Sequence, residues 1–267
     1  MPFRLKPTFR DALARADRPL AGMWVCSGSP LIAEICAGAG LDWLLIDMEH
    51  SPNGLESVLA QLHAAAAAPV TTLVRVPTAD PVIIKQVLDL GAQNLLVPMV
   101  SSAAEAEAIV RAVHYPPRGI RGVGSALARS ARWNRVDDYL AEAEQHVSLV
   151  VQIETAAGVE AAAAIAAVDG VDGVFVGPSD LAASMGLLGQ QTHPDVVAAV
   201  RRVFTQARAS GTPVGVNAFD PALARDYAEA GADFLLVGAD VALLARGSEA
   251  LATAWVPEAD RTARAGY

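Results

Sequence analysis

An eight-stranded α/β barrel is the architecture this sequence predicts, on three observations. A glycine that stops a helix, a short turn and an apolar strand recur along the chain at 38–47, 91–98, 170–177 and 231–238. That repeat is the mark of βα units. Eight short apolar runs rich in β-branched residues suit strands buried on both faces of a parallel sheet. The length of 267 residues matches one such barrel, which commonly takes about 250 residues as a single domain. An open dinucleotide-binding sheet would carry G-x-G-x-x-G after its first strand, and this chain has none there. The expectation is therefore one (β/α)8 domain over residues 1–267.

The strands are predicted at 20–25, 43–47, 71–76, 94–98, 148–153, 173–177, 213–217 and 233–237. Alanine-rich helical stretches separate them, among them 56–67, 102–113, 155–167, 195–209 and 221–230. One connection is long: Tyr115-Pro116-Pro117-Arg118-Gly119 opens a segment that runs basic through Arg135. Its proline and glycine favour irregular backbone, and long loops in compact domains are often functional. It reads as a rim segment or a subunit contact, with a solvated basic face as the alternative. The last helix, 239–254, has apolar residues round much of its circumference, including Val241, Leu243, Leu244 and Leu251, with Trp255 just beyond. Such a helix packs on more than its own barrel wall, which points to oligomerisation.

Composition excludes several classes. The chain is 53% hydrophobic and only 18% charged, with a formal net charge of −9. A nucleic-acid binder would need a basic face, and no apolar run reaches the roughly 18 to 20 residues of a membrane span. The N-terminus lacks the pattern of a signal peptide, so the expected location is the cytoplasm. Cys26 and Cys36 have no metal-type spacing and read as small core residues. Lys6 and Lys85 are the only lysines. Lys6 precedes the barrel and Lys85 falls within a helix. A Schiff-base aldolase needs a desolvated lysine at a strand end, so carbon–carbon chemistry on this chain should depend on a metal.

In such a barrel the catalytic groups stand at the C-terminal ends of the strands. Those ends supply Trp24; then Asp47, Glu49 and His50; Arg75; Gln152 and Glu154; Ser179 and Asp180; and Asn217. Glu154 and Asp180 end neighbouring strands, where two carboxylates repel unless a cation lies between them. The alternative is that each caps the following helix. Two carboxylates leave an octahedral ion open to water and substrate, which suits Mg2+ or Mn2+ better than a closed zinc cage. A 2-oxo acid chelating that ion would have its carbonyl polarised. Arg75 would stabilise the oxyanion, and His50, titrating near neutrality, would move the proton. Plainer readings stand beside these: His50 as a helix cap, Arg75 as a partner for Asp47, Gln152 satisfying buried backbone, Trp24 as rim packing. Asp89 lies near a helix C-terminus, where an acid opposes the dipole; that placement points to a partner elsewhere.

Five motifs in order then resemble one family across nearly the whole chain. They are Leu44-Leu45-Ile46-Asp47-x-Glu49-His50, Leu95-Leu96-Val97-Pro98-Met99, Tyr115-Pro116-Pro117-x-Gly119-Ile120-Arg121-Gly122, Gln152-Ile153-Glu154-Thr155 and Gly177-Pro178-Ser179-Asp180-Leu181. The chain resembles the 4-hydroxy-2-oxoheptanedioate and 2-keto-3-deoxy sugar-acid aldolases, the HpcH/HpaI class II pyruvate aldolases. The resemblance implies a barrel of the phosphoenolpyruvate/pyruvate type and reversible aldol cleavage of a 2-oxo acid from an aldehyde. It implies a divalent cation (Mg2+, Mn2+ or Co2+) on Glu154 and Asp180, with His50 as base and Arg75 as stabiliser of the enolate and alkoxide. Gln152 and the Ser179 backbone would contact the oxo acid, with Trp24, Asp47 and Asp180 also at the substrate. It further implies a homo-hexamer, a trimer of dimers exchanging the eighth helix. Asp89 would reach His50 from a neighbouring subunit to raise its basicity. The more polar Val216-Asn217-Ala218-Phe219-Asp220 segment departs from the aliphatic stretch expected of heptanedioate-type members, and directs the expectation to hydroxylated donors such as hydroxypyruvate, or to sugar-like aldehydes. A CoA-ester lyase on a related barrel, and a non-catalytic sugar-acid-binding protein, are the competing assignments.

Overall fold

A computed structural model describes residues 4–258. Eight parallel strands close into a barrel in sequence order: β1 (Leu20–Val25), β2 (Trp43–Asp47), β3 (Thr71–Arg75), β4 (Asn94–Val97), β5 (Ser148–Ile153), β6 (Gly173–Val176), β7 (Val214–Asn217) and β8 (Phe234–Ala239). Each pairs with the next, and β8 returns to β1 with a register shift between Gly22 and Trp24. The predicted strands all occur, with ends within two residues of expectation. No described helix is long and apolar enough to cross a membrane.

Helix α1 (Phe9–Arg15), held by a capping box between Thr8 and Asp11, lies under the barrel and was not predicted. The wall is built by α2 (Pro30–Ala37), α3 (Leu55–Ala64), α4 (Pro81–Asp89), α5 (Ala103–Val113), α7 (Ala156–Ala166), α9 (Pro194–Ala209) and α10 (Pro221–Glu229), while α6 (Tyr139–Glu142) is a single turn in the long connection. A short helix α8 (Pro178–Ser184) follows β6 directly, and α11 (Asp240–Trp255) is the last described element. The long connection is irregular as expected, with a 3-10 turn at Arg129–Ala131 and three successive left-handed residues, Arg132, Trp133 and Asn134.

Two cores result. The larger lies between sheet and helices, and the second fills the barrel: Phe9 plugs the bottom, and Trp43, Phe175 and Phe234 pack above it in edge-on and stacked contacts. Large rings fit because glycines face them. A Cβ on Gly22 would lie 2.4 Å from the Trp43 ring, and one on Gly215 2.3 Å from the Phe234 ring. Side chains alternate between barrel interior and wall with a period of two. The interior set contains Trp43 and Leu45 on β2, Leu73 on β3 and Val150 on β5. Continuing the same parity upward brings Asp47, Arg75 and Gln152 to the interior at the barrel mouth.

The wall around α11 differs. Asp240 is its only buried residue, and Val241, Leu243, Leu244, Leu251 and Trp255 are exposed. The carboxylate of Asp240 accepts from the backbone N–H groups of Cys26 and Ser27, at 2.8 and 3.0 Å, and so ties the end of β1 to that of β8.

Candidate active site

The mouth holds a cavity of about 300 Å3 bordered by Trp24, Asp47, His50, Arg75, Gln152, Ser179, Asp180 and Asn217, among others. Eight residues singled out from strand ends therefore come together.

Arg75 is the most constrained of them. Asp47 and Arg75 are direct partners in the β2–β3 register, so the guanidinium meets the carboxylate side on. Nε and Nη2 each donate to Asp47 at 2.8 Å. Nη1 lies 2.8 Å from Glu49 Oε2 in an ionic contact, and the guanidinium stacks 4.3 Å from the Trp24 ring centroid. Its side chain is 5% exposed. Of its five N–H donors, these contacts use no more than three, which leaves donors for a substrate oxyanion. Arg75 is thus both the partner of Asp47 and a fixed cation at the cavity. Asp47 also accepts from the backbone N–H groups of Glu49 and His50, at 3.0 and 3.3 Å. It shapes the turn that carries them.

Glu49, given no role from sequence, connects the two sides of the site. It lies between Arg75 and His50, whose Nε2 is 3.9 Å from Glu49 Oε2. Burial raises its carboxyl, with Arg75 opposing and Asp47 and Asp180 adding to the rise. His50 itself is 62% exposed at the rim.

Glu154 is 2% exposed. Its Oε1 accepts from the backbone N–H of Met99 at 2.7 Å, and its Oε2 from the Gln152 amide. Met99 presents that N–H from a left-handed backbone, φ 61°, a conformation that non-glycine residues seldom hold without compensation. Burial pushes the Glu154 carboxyl up to about 7; the two hydrogen bonds oppose the rise, and the charges of Glu49 and Asp180 add to it. The register pairs Ile153 with Val176, so Glu154 and Gly177 follow abreast. A Cβ on Gly177 would sit 2.8 Å from Glu154 Oε2, and only glycine leaves that carboxylate its place.

Asp180 stands in the first turn of α8, whose cap Gly177 makes no side-chain hydrogen bond. The Leu181 N–H of this turn is bonded to the Gly177 carbonyl at 3.1 Å, and the turn has no side-chain cap. Gln152 Oε1 is buried and without a partner. Two hard carboxylates on adjacent strand ends, one of them buried and raised, fit a divalent cation better than a thiol- and imidazole-bound metal. Among the described residues no group of three or more His, Cys, Asp or Glu is arranged to hold a metal; Asp180 borders the cavity, while Glu154 is buried beneath it.

Two expectations need correction or placement. Cys26 is not a core residue: it is partly exposed and lines the cavity, while Cys36 is buried. Burial, aided by Asp47 and Asp240, pushes the Cys26 thiol up to about 12, with Arg75 opposing, which favours the neutral thiol. Asp89 does not meet His50 within one chain. It ends α4, accepts from Nη2 of the buried Arg121 at 2.9 Å, and borders a separate groove with Leu127 and Trp133. Neither lysine lines the cavity. What sequence reasoning lacked was Glu49's place between Arg75 and His50, and a hydrogen bond from Trp24 Nε1 to Asn217 Oδ1 of 2.8 Å.

Barrel, strand-end carboxylates and clamped arginine define a carbon–carbon lyase of the (β/α)8 kind, and comparison with known proteins agrees. The chain belongs to the HpcH/HpaI aldolase/citrate lyase family, whose sequence model matches residues 20–247. The 4-hydroxy-2-oxo-heptane-1,7-dioate aldolase of Salmonella dublin is 50% identical over 262 residues, 98% of this chain and 99% of that one. The enzyme of the same name from Salmonella arizonae is 53% identical over 248 residues, 93% of this chain and 94% of its own. In structure the chain is similar to an HpcH/HpaI aldolase/citrate lyase family protein of Burkholderia cenocepacia, with a TM-score of 0.88, 43% identity, and 92% and 97% of the two chains covered. Within the family the chain is an aldolase.

Proposed function

We propose that this aldolase is dependent on a divalent cation, Mg2+, Mn2+ or Co2+, and that it reversibly joins pyruvate or hydroxypyruvate to an aldehyde. The observation that carries the reading is Glu154. It is a buried carboxyl, raised to about 7, with Asp180 and Glu49 adding negative charge beside it, at the mouth of a barrel whose lysines are elsewhere. Held by Glu154 and Asp180, the cation supplies Lewis-acid polarisation of the 2-oxo acid carbonyl.

The chain's own groups do the rest. The N-terminal turn of α8, at Ser179, receives the substrate carboxylate, and Gln152 contacts the oxo group. In the cleavage direction His50 takes the proton of the 4-hydroxyl. The C3–C4 bond breaks, an aldehyde forms at C4, and the bonding pair becomes the enolate of the 2-oxo acid. Arg75 faces the developing oxyanion with its remaining N–H donors. A proton returned to C3 completes the cycle. A cytoplasmic setting belongs to the same proposal: the two thiols are unpaired, as a reducing compartment keeps them.

Assembly is part of the proposal too. The uncovered apolar face of α11 supports its packing on a neighbouring protomer, in a homo-hexamer built as a trimer of dimers. Asp89, absent from its own chain's mouth, would then approach His50 of an adjacent subunit.

The decisive experiment removes metal with a chelator, then measures Mn2+ binding and proton exchange at C3 of pyruvate, in the native chain and in Glu154→Gln. Exchange is expected only in metal-restored native protein, and Mn2+ binding is expected to be lost in the variant. Full activity in chelated protein would overturn the assignment.

A further inference from the structure

The mouth of the barrel carries one polar relay of which the aldol steps above use only Arg75. It starts at Asp47, which clamps Arg75; Arg75 stacks on Trp24; and Trp24 Nε1 donates to Asn217 Oδ1 at 2.8 Å. Asp47 and Arg75 end β2 and β3, Trp24 is in β1 and Asn217 ends β7. The relay therefore spans the mouth.

The indole N–H is a donor only. It can meet just one end of the Asn217 amide, the carbonyl Oδ1, and so fixes which way the amide faces. The other end, Nδ2 with its two N–H donors, has no partner among the described residues. Asn217 lines the cavity together with Trp24, Phe175 and Gln152. Gln152 Oε1 is also buried without a partner. The inner wall thus has a donor in surplus at Asn217 and an acceptor in surplus at Gln152. A methyl group answers neither, whereas a hydroxyl both donates and accepts. His50 and Phe219 stand at the exposed rim, and the aldehyde is assigned to that side. On the reading above, the 2-oxo acid is assigned inward, near Glu154 and Gln152, which leaves its C3 substituent for the wall that Asn217 lines.

We propose that Trp24 is a positioning residue: its Nε1–H holds the Asn217 amide so that Nδ2 faces the cavity, and Asn217 thereby selects a 2-oxo acid hydroxylated at C3 over its methyl counterpart. The inference rests on the aldolase reading given above. Trp24 does not touch the reacting bond; it acts through Asn217, while its ring keeps Arg75 in place.

The test is a double-mutant cycle read on a ratio. With Mn2+-loaded protein and one fixed aldehyde, kcat/KM is measured for hydroxypyruvate and for pyruvate in the native chain, Asn217→Leu, Trp24→Phe and the double variant. The native chain is expected to use hydroxypyruvate at least as efficiently as pyruvate. Asn217→Leu, branched alike at Cγ but without a donor, is expected to lower the hydroxypyruvate-to-pyruvate ratio about tenfold, the upper range of one net hydrogen bond. Trp24→Phe keeps an aromatic face for Arg75 and loses the N–H; it is expected to lower the ratio several-fold, roughly three to ten. In the Asn217→Leu background the Trp24 substitution should leave the ratio unchanged, because the amide it orients is gone. A merely structural Trp24 would depress both donors alike and in both backgrounds.

Strict pyruvate selectivity in the native chain, an unchanged ratio in either single variant, or equal effects of Trp24→Phe in the two backgrounds would each overturn the inference. So would a change confined to discrimination between glycolaldehyde and acetaldehyde, which would place the hydroxyl on the acceptor. If the native chain turns over neither oxo acid with any of the three cations, the aldolase reading falls first, and that result is distinct from turnover with an unselective ratio.

Discussion

Glu154 joins chemistry to stability in one carboxyl. Its ordinary value of 4.5 rises in the folded chain to about 7, so between these values the native state holds a proton that the unfolded chain has released. Stability then falls as pH rises. The favourable contribution is complete below about 4.5 and lost as pH climbs through about 7, a swing on the order of 3 kcal/mol. Chelated protein is expected to melt at a lower temperature at pH 8 than at pH 5. Millimolar Mn2+ should raise the melting temperature at pH 8 far more than at pH 5, since the ion needs the carboxylate ionised. Glu154→Gln should flatten most of the slope, Glu49 keeping the remainder. An unchanged slope in the variant would assign the pH dependence elsewhere.

Arg75 calls for a different substitution. Truncation to alanine strands Asp47 and Glu49 beside an empty position, at a cost of about 3–5 kcal/mol, and confuses folding with catalysis. Arg75→Lys keeps the charge and loses the side-on pair with Asp47 and the planar stack on Trp24. We expect kcat to fall roughly 10²- to 10³-fold, the usual worth of an oxyanion donor, with melting followed in parallel. A change in KM alone would reduce Arg75 to uniform binding.

At the scale of the element, the barrel works because small residues face large ones. Gly215 on β7 leaves room for the Phe234 ring as Gly22 on β1 does for Trp43. Gly215→Ala forces a methyl into a ring 2.3 Å away, and overpacking of this kind costs about 1–3 kcal/mol. Urea denaturation should show that loss. A neutral result would mean that the ring moves freely. The strands themselves were legible from β-branched apolar runs and glycine turns, because burial on both faces leaves a strong sequence signal. Helices α1 and α8 were not: each is seven residues long, too short for its own periodicity to stand out. Yet α1 supplies Phe9, the plug of the barrel, and α8 carries Ser179 and Asp180 to the cavity.

At the scale of the whole molecule, α11 is the element without a home. Sixteen residues long with one buried, it exposes Leu243, Leu244, Leu251 and Trp255 by 63–82% each. Apolar surface of that kind on a finished subunit marks a contact with another protein. The native chain is expected to sediment as a hexamer, and Leu244→Asp with Leu251→Asp to yield smaller, still folded species of much lower activity. On the proposed assembly that loss is expected because Asp89 would no longer reach His50 of the adjacent subunit. Complementation offers a second reading: Asp89→Asn and His50→Asn, each inactive alone, should regain activity when co-assembled. A native chain that is monomeric and fully active would remove both the exchange of α11 and the shared site.

Local pattern alone was enough to determine the barrel, the order of its strands and the residues standing at their ends, Glu154, Asp180, Arg75 and His50 among them. Those follow from periodicity and from where an apolar run stops, which are properties of neighbours along the chain. The tertiary structure decided what each group faces: Arg75 held between Asp47 and Glu49, Glu154 raised beside Asp180 and Glu49, Asp240 binding β1 to β8, Cys26 at the cavity rather than in the core, and Trp24 turned to Asn217. Trp24 and Asn217 are 193 residues apart and meet only because the sheet closes on itself. A contact made by closure leaves no periodic trace in a sequence, and in this enzyme such contacts set the charge and the hydrogen bonding of the site.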